Sequence, residues 1–557
     1  MSELCSLNLE PILSTGGMRS LDAASKVFLA KTFKNNPSEQ DVVLCGYTLM
    51  KEAGLALFKH VKAKALEPVA IFVGGGNNGG DGLVLAKHLL QARIKCSVFG
   101  LADTNKFKNE AKRALDDYLN AGGTFANCSD LIEKFRQGTH DCLANFKLVV
   151  DCMLGNGAKG KLRPEFATVV QIINESGLPV IAADAPTGYD SAAHISNDIC
   201  IHAKETMLFG FPRLDAYVKD GGNAFGKAVI AQLSYPAEIV QKSDEKNYLV
   251  TEDAIPQLLP KRDEWGDKRV QGNPLIIAGS KDMPGAAALC TEAALRSGAG
   301  LVTLATTEAI TPIIQAKLSE PVFCSLADGE NREGECRGDA LCENRGTLQP
   351  QHISVLLQRA KHATAIAIGP GLTTNAGTVQ AVLELLPQLN VPTVIDADAL
   401  NAVATLNEDS PTCDGAAIDY LQKLRAPAIL TPHIREFARL FGSLPDTSFE
   451  IPNRLRAIAS STNKVILLKG APTYIASPDK NVYVIPTANS GMAKGGSGDV
   501  LTGIIVALLA QGLATPEAAT LGALLHQKAG RITREELGAF SMLPSDVIDT
   551  LPQAFSC

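Results

Sequence analysis

Short apolar runs bounded by glycine or aspartate recur along the whole chain, and a segment of helix length follows each of them. The first half contains PVAIFVGG and FKLVVDCMLG, and the second half contains NPLIIAGS and PTVIDADA. Buried strands that alternate with helices are typical of βαβ units. We therefore predict an α/β fold with a mostly parallel, doubly wound sheet in each half.

The length of the chain indicates two domains. A single hydrophobic core usually stops growing at about 250–300 residues, and this chain has 557. The apolar rhythm is lost in YPAEIVQKSDEKNYLVTEDAIPQLLPKRDEWGDKR, which carries many charges of both signs. We predict a boundary there, with one domain over residues 1–245 and a second over residues 246–557.

Composition favours an enzyme that acts on small molecules. The formal net charge is -7, so no cationic surplus is available for nucleic acid or an anionic membrane surface. No apolar run approaches the roughly 18 residues of a membrane span. The 13 cysteines include no C-x-x-C pair, and neither a basic region nor an apolar targeting segment opens the chain. We expect a cytoplasmic protein with no nucleic-acid or membrane partner.

The stretch VGGGNNGGDGLVLAKHL, residues 73–89, predicts a ligand-binding loop between a strand and a helix. Glycine lets backbone amides approach an anion closely, and Asn77, Asn78 and Asp81 add oxygen atoms that a hard cation prefers. A tight turn in which Asp81 caps the helix fits the same residues.

Two further strand ends in the first half carry similar residues. Asp151 ends one strand and is followed by a glycine-rich loop, while Asp184 ends another and is followed by Thr187. Aspartates at strand ends also serve as turn formers. Because ligands bind beyond the carboxyl ends of parallel strands, we expect the three loops to converge on one site.

In the second half, NSGMAKGGSGDVLTG predicts an anion site at a helix start. Amides after the glycines would face a transferring phosphoryl group, and Asp499 would accept the proton of the attacking hydroxyl. A simple helix cap at Asp499 is the alternative. No Walker A lysine motif is present, so a P-loop kinase is not predicted.

The motifs GGGNNGGDGLVLA, DCMLGNGAKG and DAPTGYD resemble those of NAD(P)HX epimerases over about residues 15–235. This resemblance implies a Rossmann-like sheet, potassium held by Asn78, Asp151 and Thr187, and Asp184 as the acid/base residue. The hydrated nucleotide and its phosphates would contact Asn77, Asn78, Gly79, Gly80, Asp81, Gly155, Asn156, Gly157, Ala158, Lys159 and Gly160.

GGSGD resembles the ribokinase-like superfamily, whose α/β/α fold it implies. With AGSKDMPGAAALC, AIGPGL, VIDADALNAV, ILTPHIREFARLFG and VILLKGAPTYIASPD, the resemblance narrows to ADP/ATP-dependent NAD(P)HX dehydratases over about residues 250–550. It implies that Ala286, Gly371, His433 and Asp499 surround the hydrated nucleotide. It also implies that ADP or ATP, with magnesium, binds Lys469, Gly470, Ala471, Pro472, Thr473, Gly496, Ser497 and Gly498.

Taken singly, several of these residues fit ordinary structural roles. His433 fits a helix start, Lys469 a solvated charge, and Asp396 and Asp398 a turn. The chain also departs from the family at Thr373, where the family has glycine.

Together the resemblances imply a bifunctional enzyme. It would epimerise the R and S forms of NADHX or NADPHX and dehydrate the S form. That second step would consume ADP or ATP and release AMP or ADP and phosphate. We also expect a homo-oligomer. The alternative is a ribokinase-like vitamin kinase with a non-catalytic N-terminal binding module.

Overall fold

The computed structural model describes residue 4 and residues 9–126, 128–191, 195–196, 199–240, 245–328, 345–407 and 415–556. It divides into two compact units. The N-terminal unit is built from Glu10–Lys246 with Thr447–Phe449, and the C-terminal unit contains Asn247–Asp446 and Glu450–Cys557.

The N-terminal unit has a seven-stranded sheet in the order β3-β2-β1-β4-β5-β6-β7, with every neighbouring pair parallel. This is the strand order of a Rossmann-like doubly wound sheet, as predicted. The strands are β1 Val69–Val73, β2 Cys96–Gly100, β3 Phe125–Ala126, β4 Leu148–Cys152, β5 Val180–Ala183, β6 Glu205–Phe209 and β7 Lys227–Ala231. The helices are α1 Thr15–Phe33, α2 Glu39–Lys64, α3 Asn77–Gln91, α4 Asn109–Asn120, α5 Cys128–Arg136, α6 Pro164–Glu175, α7 Lys219–Phe225 and α8 Ala237–Val240.

Both faces of this sheet are covered, which explains why its strands are continuously apolar. In β1, Ile71 points into one hydrophobic cluster, while Ala70 and Phe72 point into the cluster on the opposite face. All three side chains are fully buried. Polar and flexible residues are therefore displaced to the strand ends, where a site can form.

The strands of the C-terminal unit lie in the order β8-β17-β16-β15-β14-β13-β12-β9-β10-β11. Neighbours are parallel except β16, which is antiparallel to β15 and β17. The strands are β8 Asn247–Leu249, β9 Pro274–Ile277, β10 Thr303–Thr307, β11 Val322–Leu326, β12 Ala365–Ile368, β13 Thr393–Ile395, β14 Ala428–Leu430, β15 Val465–Leu468, β16 Thr473–Ala476 and β17 Val482–Ile485.

Helices alternate with these strands, in keeping with the predicted ribokinase-like α/β/α class. They are α9 Ile255–Leu258, α10 Pro284–Arg296, α11 Thr311–Gln315, α12 Ile353–Ala360, α13 Ala376–Leu385, α14 Ala397–Ala404, α15 Ala416–Lys423, α16 Ile434–Phe441, α17 Ile451–Thr462, α18 Ser497–Ala510, α19 Thr515–Ser541 and α20 Pro544–Phe555. Within the described ranges, none of the helices is both long and apolar enough to cross a bilayer.

Candidate active sites

A cavity of about 450 Å³ opens at the carboxyl edge of the N-terminal sheet. Its walls come from α1, α2, the start of α3, the loop after β4 and the residue after β5. The predicted site residues that line it are Asn77, Asn78, Asp81, Gly155, Asn156, Gly157, Ala158 and Asp184. The three predicted loops therefore do meet at one place.

The glycine cluster differs from the predicted loop, because α3 already begins at Asn77. A Cβ on Gly79 would collide with the carbonyl oxygen of Gly74, and one on Gly80 would lie 2.7 Å from the sulfur of Met50. These two glycines allow the helix to pack closely and do not line the cavity. Asp81 lies inside the helix, so the helix-cap interpretation of Asp81 is wrong.

Asp184 projects from the end of β5 with a φ of 64°, in the left-handed region that non-glycine residues seldom adopt. The backbone N–H of Asn156 donates to its Oδ2 at 2.8 Å. A Cβ on Gly155 would lie 2.7 Å from that same oxygen, so only glycine fits there without displacing the carboxylate. The loop after β4 thus positions Asp184 directly.

Arg213, which sequence reasoning missed, holds the other side of Asp184. Its guanidinium donates to Oδ1 of Asp184 and, at 2.6 Å, to the Asp184 carbonyl oxygen. Its Nε also donates to Asp215 at 3.3 Å. Arg213 is 1% exposed. Burial opposes its charge, but the two carboxylates outweigh burial and raise the pKa of Arg213 above its ordinary value.

Asp81 presents a different carboxyl group to the same cavity. It is 8% exposed. Burial raises the pKa of Asp81 well above its ordinary value, and the charges of Asp184 and Asp22 raise it further against the opposing effect of Lys26. Asp81 and Asp184 therefore lie in unlike surroundings within one cavity.

Sequence reasoning also missed a polar wall of the cavity formed from α1, α4 and the segment after β7. The Tyr235 hydroxyl donates to Asp22 at 2.6 Å, and Lys26 pairs with Glu110 at 2.9 Å. Burial raises the pKa of Asp22. Asp22 and Lys26 lie on a helix and Tyr235 lies in the segment after β7, all without a local motif, so only the fold brings them here.

The predicted potassium ligands include a buried pair and an unpartnered amide. Asp151 accepts hydrogen bonds at 2.8 Å from both the hydroxyl and the backbone N–H of Thr187. Burial raises the pKa of Asp151 to about 6 against these hydrogen bonds. The Asn78 side chain is buried, and neither its oxygen nor its nitrogen has a hydrogen-bond partner among the described residues.

Two predicted phosphate-loop residues lie apart from the cavity. Lys159 is exposed. The N–H of Gly160 donates to Asp190 at 2.7 Å, which ties the end of the loop to the segment after β5. Neither residue is among those that line the cavity.

In the C-terminal unit, Asp499 is the third residue of α18 rather than its cap. Gly496 occupies the N-cap position with a φ of 98° and has no side chain with which to satisfy the first amides. Those amides and the helix dipole favour an anion at this end of α18. The carboxyl group of Asp499 thus stands beside a region suited to phosphate.

A buried ionic cluster adjoins Asp499. The Lys469 ammonium donates to Asp396 at 2.8 Å and lies 3.8 Å from Glu436, while the Thr502 hydroxyl donates to the second oxygen of Asp396 at 2.7 Å. A Cβ on Gly498 would lie 3.4 Å from the Lys469 nitrogen. Lys469 is therefore not a solvated charge, and Asp396 is more than a turn former.

The charges of this cluster influence the pKa of Asp499. Burial raises the pKa of Asp499 to about 7, and Asp396 and Asp398 raise it while Lys469 lowers it. A carboxyl group with a pKa near neutrality is suited to general-base catalysis under ordinary conditions.

The other residues predicted to surround the hydrated nucleotide are Ala286, Gly371 and His433, and each contacts a nearby residue. A Cβ on Gly371, which has a φ of 64°, would lie 2.8 Å from the Ala286 side chain, so these two residues touch. His433 is the N-cap residue directly before α16, and its Nδ1 accepts from the N–H groups of Arg435 and Glu436 at 3.0 and 3.2 Å. The structure thus gives His433 a helix-capping role.

The predicted adenine-nucleotide segment forms the connection between β15 and β16. It contains Gly470, Ala471 and Pro472 and ends at Thr473, whose hydroxyl donates to the carbonyl oxygen of Gly470 at 2.9 Å. Gln527 of α19 donates to the same hydroxyl at 3.0 Å. Gln527 was not predicted, because it lies in a long helix without a motif.

Comparison with known proteins agrees with the division into two units. Residues 274–553 match the family described as NAD(P)H-hydrate dehydratase, and residues 23–214 match the family described as YjeF-related protein N-terminus. The bifunctional NAD(P)H-hydrate repair enzyme Nnr of Moorella thermoacetica is 36% identical over 523 residues, 92% of this chain and 93% of that protein. The enzyme of the same description from Thermofilum pendens is 32% identical over 91% of each chain.

Among solved structures, the ADP/ATP-dependent NAD(P)H-hydrate dehydratase from Bacillus subtilis, co-crystallised with ATP/Mg²⁺, is 31% identical. It covers 55% of this chain and 96% of its own length, with a TM-score of 0.43.

Two doubly wound units, each with a candidate catalytic carboxyl group, are the architecture of an α/β enzyme with two candidate active sites. The sequence matches cover both units in a single chain. The chain belongs to the family of bifunctional NAD(P)H-hydrate repair enzymes, which confirms the family resemblance of its motifs.

Proposed function

We propose that this chain repairs hydrated nicotinamide nucleotides in two steps. The N-terminal domain, residues 1–245, interconverts the R and S forms of NAD(P)HX. The C-terminal domain, residues 246–557, dehydrates the S form with ADP or ATP as phosphoryl donor and releases AMP or ADP and phosphate. The observation that carries this proposal is the position of one carboxyl group in each unit: Asp184 accepts the Asn156 N–H after β5, and Asp499 lies in the first turn of α18.

The substrate explains why two such sites are needed. In the hydrate, carbon C6 of the nicotinamide ring bears a hydroxyl group and is bonded to the ring nitrogen N1, so it is a hemiaminal carbon. Acid/base assistance can open and reclose this centre, which inverts it. Water leaves poorly from C6, but phosphate leaves well once the hydroxyl group is phosphorylated.

In the epimerase site, Asp184 acts as the acid/base residue at the ring. The Asn156 amide and Arg213 hold its two oxygens in place. The residues proposed to bind the nucleotide and its phosphates are Asn77, Asn78, Gly79, Gly80, Asp81, Gly155, Asn156, Gly157, Ala158, Lys159 and Gly160. The lining of the cavity supports the subset formed by α3 and the loop after β4.

Potassium is proposed at Asn78, Asp151 and Thr187. The donor set fits a weakly charged cation, since it offers an amide oxygen, a hydroxyl group and one carboxylate. The buried, unpartnered Asn78 amide supports this assignment, as does the absence of any cationic partner of Asp151 among the hydrogen bonds of the described residues. When bound, potassium would neutralise negative charge beside the phosphates of the substrate.

In the dehydratase site, Asp499 removes the proton of the C6 hydroxyl as its oxygen attacks the transferring phosphoryl group. The first amides of α18 and the Lys469 ammonium stabilise charge on the phosphoryl oxygens. The lone pair of N1 then expels phosphate, and loss of a proton from C5 restores the dihydropyridine. Magnesium on the nucleotide would share in charge neutralisation.

Around this centre, Ala286, Gly371 and His433 are proposed to contact the hydrated nucleotide. Lys469 to Thr473, with Gly496, Ser497 and Gly498, are proposed to bind the adenine nucleotide. The short separation of Gly498 from Lys469 supports a shared nucleotide site.

Two isosteric variants test whether the two reactions take place at separate sites. Asp184→Asn should abolish conversion of the R form above its spontaneous rate while S-form dehydration continues. Asp499→Asn should abolish dehydration while R and S continue to interconvert. Each variant serves as the folding control for the other. Loss of both activities in both variants, or of neither, would refute the two-site proposal.

We also propose a cytoplasmic homo-oligomer that works on small molecules without a nucleic-acid or membrane partner. The net charge of -7 supports the exclusion of polyanions as partners. Light scattering of the purified chain tests the oligomeric state.

A further inference from the structure

The N-terminal cavity offers opposite environments to two carboxyl groups. Asp184 receives an amide N–H from Asn156 and a guanidinium N–H from Arg213. Asp81 is 8% exposed and receives no hydrogen bond at its carboxyl group from any described residue. Donors to one carboxyl group stabilise its ionised form, while burial without donors stabilises the neutral form of the other.

The other groups around Asp81 reinforce this division. From α1 come Asp22, which accepts a hydrogen bond from Tyr235, and Lys26, which pairs with Glu110 of α4. Among the described residues that line the cavity, Lys26 is the one cation, and Glu110 offsets its charge. Cys152 of β4 is neutral, because burial raises the pKa of its thiol well above the ordinary value, with Asp151 and Asp81 adding to the effect.

Burial and the negative charges of neighbouring carboxylates therefore determine the direction of the pKa shift of Asp81. Burial, then Asp184 and Asp22, raise the pKa of Asp81 well above its ordinary value, and Lys26 opposes them only in part. Pairs of carboxyl groups whose environments diverge in this way commonly divide the acid and base roles of an active site.

We propose that Asp81 is the general acid and Asp184 the general base of the epimerisation, an assignment that rests on the proposed function of this unit. The Asp184 carboxylate removes the proton of the C6 hydroxyl. The C6–N1 bond breaks as a C6=O double bond forms, and N1 takes the proton of the Asp81 carboxyl group. The product is a ring-opened aldehyde with a secondary amine at N1.

Closure reverses these transfers on the other face of the carbonyl. Rotation about the C5–C6 bond turns the aldehyde, and N1 attacks C6 again. Asp184 returns its proton to the oxygen while Asp81 recovers the proton of N1. Both residues regain their starting states, nothing is oxidised or reduced, and no further reactant is consumed.

An infrared measurement on the full-length protein tests the resting state of Asp81. At pH 8, carboxyl groups with ordinary pKa values are ionised, and so is most of Asp499, whose pKa is about 7. The wild type should still show the carbonyl band of a protonated carboxyl group, and Asp81→Asn should remove it. Asp22→Asn is the matched control, because burial also raises the pKa of Asp22. Loss of the band in Asp22→Asn but not in Asp81→Asn would overturn the proposal.

A kinetic measurement tests the role of Asp81. Conversion of the R to the S form by the wild type should fall at high pH, with the same midpoint as the loss of the infrared band. Asp81→Asn should lower kcat by about 10²–10⁴-fold, leave KM within a few-fold, and abolish the alkaline limb.

Three results would overturn the acid role of Asp81. They are full activity of Asp81→Asn, an intact alkaline limb in that variant, and wild-type midpoints that differ between the two measurements. The last comparison needs no variant. A wild type that never interconverts R and S would instead refute the proposed function, while the infrared band would still decide the state of Asp81.

Discussion

The pH dependence of the proposed dehydratase reaction follows directly from the surroundings of Asp499. Burial raises the pKa of this carboxyl group to about 7, and Asp396 and Asp398 contribute while Lys469 opposes. A general base acts in its ionised form, so kcat/KM should fall as the pH drops through 7. At pH 6 about one tenth of the molecules would carry ionised Asp499, so kcat/KM should be about one tenth of its plateau.

One charge-removing variant tests the stated cause of this pKa. Asp398→Asn deletes a negative charge near Asp499 but keeps an oxygen that can accept the Thr373 N–H, which now lies 2.8 Å from the Asp398 carboxylate. The acid limb should therefore move to lower pH. Asp419→Asn, on the exposed side of α15, removes the same charge without reaching Asp499 and should leave the limb in place.

The assay is the absorbance of regenerated NADH from the S form with saturating magnesium and ADP or ATP. A wild-type limb centred at about 4, the ordinary range of an aspartate, would show that burial does not raise the pKa of Asp499 in this way. Equal shifts of the acid limb in Asp398→Asn and Asp419→Asn would show that the Asp398 charge does not raise the pKa of Asp499.

Three further predictions concern the N-terminal unit. Gly79→Ala should destabilise it by about 1–3 kcal/mol, because the added Cβ meets a backbone carbonyl oxygen, whereas Gly76→Ala meets nothing within 4 Å; thermal melts of the two variants make the comparison, and equal melts would contradict it. Arg213→Met should cost about 3–5 kcal/mol, since it leaves Asp184 as an unpaired, largely buried carboxylate, and Arg213→Lys should cost less in the same melt. Potassium should raise the melting temperature of the wild type more than lithium does, and Asn78→Ala should remove that difference; an undiminished difference would argue against the proposed cation site.

Much of the N-terminal site could be predicted because its chemistry lies at strand ends. A continuous apolar run fixes where a parallel strand stops, and the next polar residue must then lie at the sheet edge. Asp151 and Asp184 were predicted in this way: Asp151 is the last but one residue of β4, and Asp184 directly follows β5. The meeting of these loops in one cavity follows from the parallel order of the strands.

Other parts of the site had no local signal. Arg213 follows β6 in FGFPRLD, a stretch without a motif, and its importance comes from the approach of its guanidinium to Asp184 across 29 residues of sequence. Lys26 lies on an amphipathic helix, where a lysine is ordinary. Tertiary packing alone decides which of many polar residues face a cavity.

The glycine stretch shows how a correct composition argument gave the wrong local structure. The abundance of glycine in residues 74–82 predicts a loop, yet α3 starts at Asn77. Gly79 and Gly80 are required by close packing against Gly74 and Met50. Sequence alone does not distinguish a glycine required for its backbone conformation from a glycine required because a neighbouring residue packs closely against it.

The most direct test of the proposed two-step repair is an absorbance assay for NADH with a mixture of R and S NADHX, magnesium, potassium, and ADP or ATP. If both units are active, the mixture should be converted completely, faster than spontaneous epimerisation allows, with release of phosphate. Conversion that stops at the S fraction would contradict an active N-terminal unit. A stable phosphorylated product in place of NADH and phosphate, or no conversion with either nucleotide, would contradict the dehydratase and favour a kinase of the same fold.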